Sequence, residues 1–272
     1  MTLLHSPALR TFHSRRHTVA RLVCFPHAGG AANAFAGLSA ALPQDIELIA
    51  VQYPGRQERR ADPFAEDIAA LAGEAAHSLA GFADRPLFLL GHSMGALTAF
   101  ETARRLEQRG GVTRLFASAA RPPAQDWEER DLDFSGDDEI VAELRRLGGV
   151  PEALLQDRDT VHEMLRLLRA DHRALRRYRC PADTLITAPI TALLAEEDPK
   201  NTIEQIRGWA RHTRAGLAID GLAGGHFSLT GRSTEAALRI ARRIRGDLAR
   251  VAAAALPATP ACHRDTHLMG EM

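Results

Sequence analysis

Short apolar runs alternate along the chain with segments whose apolar positions repeat at helical spacing. The clearest apolar runs lie at residues 19–25, 46–51 and 86–90, and weaker strand candidates lie at residues 113–118, 190–195 and 216–221. The first three runs end at prolines or glycines. Continuous apolar runs of this length are typical of strands that are buried on both faces, as in a parallel sheet.

The helical segments fall between these runs, at residues 67–79, 96–106, 202–210 and 234–251. In the second segment Ala96, Phe100 and Ala103 share one face, and Gly110 and Gly111 end the helix. Strands that alternate with helices indicate βα units. The sequence therefore predicts an α/β fold, in which a mostly parallel central sheet is flanked by helices.

Residues 125–183 interrupt the alternation. They contain helical segments at residues 138–147 and 158–178 and no convincing strand. The second segment has an apolar stripe that includes Leu165 and Leu168. A helical insertion of this length between two strands predicts a lid over a functional site. The alternative is a packed helical subdomain without a gating role.

The length of 272 residues allows one large domain or two small ones. We expect a flexible N-terminus over residues 1–17, one domain over residues 18–256 with the insertion inside it, and a disordered tail over residues 257–272. The tail contains two histidines, and such histidines are usually solvated rather than metal ligands.

Charge and cysteine content exclude several classes of protein. Lys and Arg together number 34, as do Asp and Glu, so a globally basic nucleic-acid binder is not expected. The three cysteines do not form a disulfide framework or a metal-binding spacing, which indicates a reducing compartment. No apolar stretch approaches the roughly 20 residues of a membrane span. We therefore expect a cytoplasmic protein, with no membrane association.

The motif Gly91-His92-Ser93-Met94-Gly95 follows an apolar run and precedes the clearest helix. G-x-S-x-G in a strand–turn–helix context is the nucleophile elbow. Side chains at Gly91 and Gly95 would collide with neighbouring backbone in so tight a turn. Ser93 is then strained and exposed at the positive end of the helix. The alternative is a glycine-rich βα turn without chemistry.

A serine hydroxyl needs a base within hydrogen-bond reach, and in this fold the base follows the serine in the chain. His226, in a glycine-rich loop after the last strand, is the candidate base. His212 is the competitor, but it follows a helical segment and is expected on the surface. His92 is too close to Ser93 to turn back towards it.

The base in turn needs a carboxylate to orient it. Asp198 is the candidate, because it follows an apolar run and Pro199 marks a turn there. Glu196 and Glu197 remain alternatives. For the oxyanion hole we expect the backbone N–H groups of Met94 and Ala28, the latter in a His-Gly-Gly-like loop after residue 25.

The chain resembles the type II thioesterases, free-standing α/β-hydrolases that accompany polyketide and non-ribosomal peptide synthases. The matching motifs are PHAGG at residues 26–30, QYPGRQ at 52–57, GHSMG at 91–95, LGGVP at 147–151, RAD at 169–171 and GGHF at 224–227. The sequence departs from the family before the acid, where a glycine pair is usual and Leu194 and Ala195 stand here.

The resemblance implies that Ser93, His226 and Asp198 form the catalytic triad and that the insertion is the helical lid. It also implies hydrolysis of stalled or mis-loaded acyl groups carried on the phosphopantetheine arm of acyl or peptidyl carrier domains. No metal or other cofactor is needed, and nothing requires more than a monomer. The alternatives are a chain-terminating fatty-acyl thioesterase, a general carboxylesterase and a non-catalytic acyl-binding protein.

Arginines cluster on the late lid segment, at Arg166, Arg169, Arg173, Arg176, Arg177 and Arg179. Carrier domains are generally acidic and their arm has a phosphate, so Arg173 and Arg177 are candidate contacts for the carrier. The alternative is a solvated helix face with local ion pairs, for example to Asp171.

Overall fold

The computed structural model describes residues 6–125 and 136–255. Its sheet has seven strands: β1 Leu9–Arg10, β2 Ala20–Phe25, β3 Ile46–Val51, β4 Leu87–His92, β5 Arg114–Ser118, β6 Ile190–Ala195 and β7 Leu217–Leu222. Their spatial order is β1-β3-β2-β4-β5-β6-β7, and all neighbours are parallel except β1 and β3. The prediction of an α/β fold with a mostly parallel sheet is confirmed.

Helices cover both faces of the sheet: α1 Ala36–Ala41, α2 Ile68–Ser78, α3 Met94–Leu106, α7 Ile203–Arg207, α8 Ser228–Gly231 and α9 Ser233–Ala255. Successive side chains of a strand point to opposite faces. Val23 accordingly packs in the core beneath α2 and α3, while Leu22 packs in the core beneath α1 and α9. Strands β2 to β5 are therefore buried at every position and mostly apolar, with charged exceptions at Arg21, Glu47 and Arg114.

The insertion between β5 and β6 contains three helices: α4 Asp137–Leu147, α5 Glu152–Leu155 and α6 Arg158–Arg177. The first half of α6 packs with α4 in a small cluster that includes Ile140, Leu165 and Leu168. Its last turns, at Ala174 and Leu175, belong to the main core. The longest helix of the insertion is thus anchored in the body at one end and lies under α4 at the other.

The expectation of a flexible N-terminus does not describe residues 6–17. Leu9 and Arg10 pair with Val51 and Ala50 of β3 as an added antiparallel strand. The buried Arg15 side chain donates hydrogen bonds to backbone carbonyls of the main domain. The sequence gives little sign of this attachment, because a polar side chain rather than an apolar run binds residues 6–17 to the domain. Residues 1–5 and the predicted tail at 257–272 lie outside the described residues.

Across the two described stretches, no helix combines the length and apolar character that a bilayer crossing would need.

Candidate active site

The turn between β4 and α3 presents Ser93 in a strained conformation. Its φ and ψ are 53° and −121°, a region that residues with a side chain rarely occupy. A Cβ on Gly91 would lie 2.2 Å from the Gly95 carbonyl oxygen, and one on Gly95 would lie 2.1 Å from the Phe25 carbonyl oxygen. Both glycines are therefore required sterically, which is the geometry expected of a nucleophile elbow.

His226 follows β7 and is hydrogen-bonded to Asp198, which follows β6. The distance from His226 Nδ1 to Asp198 Oδ2 is 2.9 Å, and both side chains are buried. The Asn201 side-chain amide donates to Asp198 Oδ2 at 2.7 Å and the Lys200 backbone N–H donates to Oδ1 at 2.9 Å. The carboxylate thus fixes the ring through Nδ1, and Nε2 remains for proton transfer.

These hydrogen bonds keep Asp198 ionised. Burial by itself would raise the pKa of the Asp198 carboxyl. The hydrogen bond and charge of His226, followed by the donors from Lys200 and Asn201, outweigh burial and lower the pKa below its usual value. An ionised carboxylate beside the imidazole stabilises the cation that forms when His226 takes a proton.

The structure separates the alternatives that the sequence left open. Glu196 and Glu197 are exposed, while Asp198 turns inward towards His226. The expectation that His212 lies on the surface is wrong. His212 is buried against Phe100 and Trp209, with Nδ1 2.9 Å from the Thr184 carbonyl oxygen. These ring contacts and the bond to a backbone carbonyl make it a structural histidine.

Two further imidazoles surround His226. The His92 ring centroid lies 5.3 Å from that of His226 and 5.6 Å from that of His27. Desolvation, followed by the charges of His226 and Arg56, lowers the pKa of His27 to about 4. Desolvation and the same neighbouring His226 lower the pKa of His92 well below its usual value. Both rings are therefore neutral at neutral pH.

A cavity of about 800 Å³, including the space open to solvent at its mouth, lies between the sheet edge and the insertion. Ser93, Met94, Ala28 and His226 line its base. The insertion contributes an apolar wall of Ile140, Leu144, Leu147, Leu168 and Leu175. The cavity therefore combines a polar base with an apolar roof, as expected of a site for an acyl chain.

Charged side chains also line the cavity. Lys200 Nζ lies 2.7 Å from Glu143 Oε1 on α4, so an ion pair joins the insertion to the segment after Asp198. His172 of α6 faces the cavity as well, and desolvation lowers its pKa to about 4.

The candidate carrier contacts Arg173 and Arg177 are exposed on α6. The Arg177 guanidinium donates to the Glu66 carbonyl oxygen at 3.2 Å. Arg166 pairs with Glu163 on the same helix. Part of the arginine cluster is therefore engaged in local contacts.

Asp171 does not join this surface network. It is buried and forms an ion pair with Arg56, with 2.7 Å between Arg56 Nη2 and Asp171 Oδ1. From the sequence Arg56 had no assigned role and Asp171 was considered only as an ion-pair partner for the arginines of its own segment, although both lie in motifs of the resemblance. Asn201 was also missed, and its signal was its position in the turn that follows Asp198-Pro199.

The parallel sheet, the elbow after its fourth strand and the helical insertion define an α/β-hydrolase. A family model described as a thioesterase domain matches residues 20–247. The chain belongs to this thioesterase family. The resemblance to type II thioesterases that its motifs predicted is confirmed by its structural neighbours, which come from polyketide and non-ribosomal peptide pathways.

Three relatives illustrate the match. The chain is 40% identical over 246 residues to a protein named probable cadicidin biosynthesis thioesterase from Streptomyces griseus, covering 90% of this chain and 68% of that protein. It is 40% identical over 226 residues to thioesterase PikA5 of Streptomyces venezuelae, covering 81% and 79%. The type II thioesterase BorB from the borrelidin biosynthetic cluster superposes with a TM-score of 0.79 at 38% identity, covering 88% of this chain and 98% of that one.

Proposed function

We propose that this protein hydrolyses stalled or aberrant acyl groups from the phosphopantetheine arm of acyl or peptidyl carrier domains. The observation that carries the proposal is the 2.9 Å contact between His226 Nδ1 and Asp198 Oδ2 at a cavity that Ser93 also lines. The relatives named as biosynthetic thioesterases support the substrate class.

In the first half of the reaction, Ser93 Oγ attacks the thioester carbonyl carbon while His226 Nε2 takes its proton. Asp198 stabilises the resulting imidazolium. The carbon–sulfur bond then breaks, His226 returns the proton to the sulfur, and the pantetheine thiol leaves. The acyl group is now an ester of Ser93.

In the second half, His226 removes a proton from water, and the hydroxide attacks the acyl-enzyme carbonyl. The tetrahedral intermediate then collapses: the bond between the acyl carbon and Ser93 Oγ breaks, His226 returns its proton to Oγ, and the carboxylic acid leaves. The oxyanion formed in each half is held by the N–H groups of Met94 and Ala28. The Gly29 and Gly30 amides are engaged with Asp171 and His27, which supports Ala28 as the donor of this turn.

A thiol is a better leaving group than an alkoxide, so the chemistry does not depend on a closely fitted acyl pocket. The insertion lines the cavity mainly with leucines and an isoleucine, and its polar contributions are His172 and Glu143, of which Glu143 is paired with Lys200. An apolar wall of this kind suits a broad editing enzyme rather than one dedicated to a single product.

The test is hydrolysis of a panel of acyl-carrier proteins, from acetyl upward, by the wild type and Ser93→Ala. We expect turnover of short acyl groups by the wild type and a loss of at least about 10³-fold in the variant. A preference for long chains would instead indicate a chain-terminating thioesterase, and a preference for oxygen esters a carboxylesterase. Binding without hydrolysis, with no labelling of Ser93 by a fluorophosphonate, would indicate an acyl-binding protein.

We also propose that Arg173 and Arg177 contact the carrier domain, whose acidic surface would complement them. Reversing both charges should weaken turnover of acyl-carrier substrates several-fold and leave small acyl thioesters unaffected. The matched control reverses Arg239 and Arg242 on α9, which are also exposed. Equal effects of the α6 variant on both substrates would reject the contact.

A further inference from the structure

Asp171 stands on the insertion helix α6 but binds the loop that follows β2. Its Oδ2 accepts a hydrogen bond from the Gly29 backbone N–H at 2.7 Å. One turn earlier on α6, Leu168 packs against the same glycine, at 2.8 Å from the position a Cβ would take there. Gly29 has φ +75°, so its conformation and its contact with α6 both require glycine.

Arg56 completes the attachment from the segment after β3. Its guanidinium forms a bidentate pair with Asp171, at 2.9 Å to Oδ2 and 2.7 Å to Oδ1. The same Nη1 donates to the Gly30 carbonyl oxygen at 2.7 Å. Arg56 and Asp171 are almost fully buried, so solvent does not screen their pairing.

These contacts hold the loop directly after the Ala28 amide, and the Gly30 N–H donates at 2.9 Å to the His27 carbonyl, which belongs to the same peptide as the Ala28 N–H. Asp171 accepts from the Gly29 N–H, and Arg56 donates to the Gly30 carbonyl. Both glycines directly follow Ala28. We propose that Arg56 and Asp171 are positioning residues that set the direction of the Ala28 N–H towards the oxyanion. This inference rests on the proposed function and goes beyond it, because it makes the insertion helix α6 part of the catalytic support.

The physical argument concerns preorganisation. An oxyanion donor is effective when it already points at the position of the developing charge, so that no reorganisation is needed during the reaction. A loop rich in glycine has little intrinsic rigidity, since glycine populates both signs of φ. The turn at residues 28–30 needs an external frame, and a buried, bidentate ion pair supplies fixed directions as well as energy.

The test compares Asp171→Asn with the wild type in the full chain. The variant keeps the shape of the side chain but loses the charge that pairs with Arg56. We expect kcat for a small acyl-pantetheine thioester to fall about 10- to 100-fold, with KM changed less than about 3-fold. Affinity for the trifluoromethyl ketone analogue, which forms a tetrahedral oxyanion with serine, should fall by the same factor as kcat/KM. Affinity for the planar carboxamide analogue, which forms no oxyanion, should stay unchanged.

The chain offers a matched control in Arg114 and Asp247, another buried bidentate pair, with contacts of 2.6 and 2.8 Å. This pair joins β5 to α9, away from the cavity. Asp247→Asn should lower the thermal midpoint at least as much as Asp171→Asn while leaving kcat within about 2-fold.

Arg56→Lys provides a second variant if Asp171→Asn does not fold, because it keeps the charge and removes the bidentate geometry. We expect it to reproduce the loss of kcat and of ketone affinity. The inference is overturned if either variant loses no more kcat than Asp247→Asn, or if kcat falls while ketone affinity stays constant. Failure of the proposed function is distinct, because the wild type itself would then neither hydrolyse the thioester nor bind the ketone.

Discussion

At the scale of single residues, the four-residue turn after β6 orients the proposed acid, Asp198. Asp198 accepts from the amide two residues later and from the Asn201 side chain, so its carboxylate is held in one orientation beneath His226. Such local bonds are a common property of aspartate in turns. Glu197 and Glu196, one and two positions earlier, have no comparable constraint and point to solvent.

Replacing Asp198 by asparagine should therefore lower kcat by about 10³- to 10⁴-fold, because the amide favours the wrong imidazole tautomer. Steady-state hydrolysis of a small acyl thioester provides the measurement. Glu196→Gln is the control and should retain wild-type kcat. Comparable losses in the two variants would remove Asp198 from the triad.

The sequence predicts Ser93, His226 and Asp198 because each lies in a local motif at the end of a strand. It does not predict the pairing of Arg56 with Asp171, since these residues are 115 positions apart and each is an ordinary surface residue type. The sequence also does not predict the burial of His212. Its partners Phe100 and Thr184 come from elements that the chain pattern does not place beside it.

At the scale of elements, the insertion contacts the catalytic loop through a glycine turn. A Cβ on Gly149, between α4 and α5, would lie 2.2 Å from the Phe227 ring. The Phe227 centroid lies 5.1 Å from that of His226 and 4.9 Å from that of His27. The glycine at position 149 of the LGGVP motif is thus explained by packing, because only glycine allows the insertion to contact the Phe227 ring beside His226.

Gly149→Ala should displace either the turn or Phe227 and lower kcat/KM by about 10-fold, since small misplacements of catalytic groups are costly. Steady-state kinetics give kcat/KM, and a thermal melt on the same preparation gives the midpoint of unfolding. Gly136→Ala, in the same insertion but facing open space, should leave both nearly unchanged. A variant at Gly149 with wild-type kinetics would show that this contact does not support His226.

The sequence predicts β2 to β4 from continuous apolar runs and β5 to β7 from weaker ones, which include Arg114 and Asp220. It misses β1, which has only two residues and is held as an antiparallel edge. It also misses α1, whose six residues AGLSAA give too few turns for a helical period to show. Elements of this size depend on tertiary contacts rather than on their own pattern.

At the scale of the molecule, several buried or half-buried histidines are held in the neutral form. Burial is the main cause that lowers the pKa of His27 and of His172 to about 4. In the unfolded chain a histidine titrates near 6.5. Between about pH 4 and 6.5 the unfolded state therefore binds more protons than the folded state, so the free energy of unfolding falls as the pH is lowered through this window.

We expect each of these histidines to remove on the order of 2–3 kcal/mol of stability between pH 7 and pH 4. Asp198 acts in the same direction only at lower pH, because its depressed pKa keeps it ionised throughout the window. Urea unfolding at a series of pH values measures the effect. His172→Gln should flatten the dependence, and curves that stay parallel for variant and wild type would contradict the assignment.

The anchoring of α6 determines which part of the acyl site can change during adaptation. Ala174 and Leu175 lie in the main core, so a swing of the whole insertion would expose apolar surface to water. By contrast, α4 contacts the rest of the protein through the small cluster around Ile140, the Lys200 ion pair and the Gly149 turn. Laboratory selection for bulkier substrates should therefore accumulate substitutions first in residues 137–155, leaving the C-terminal turns of α6 unaltered.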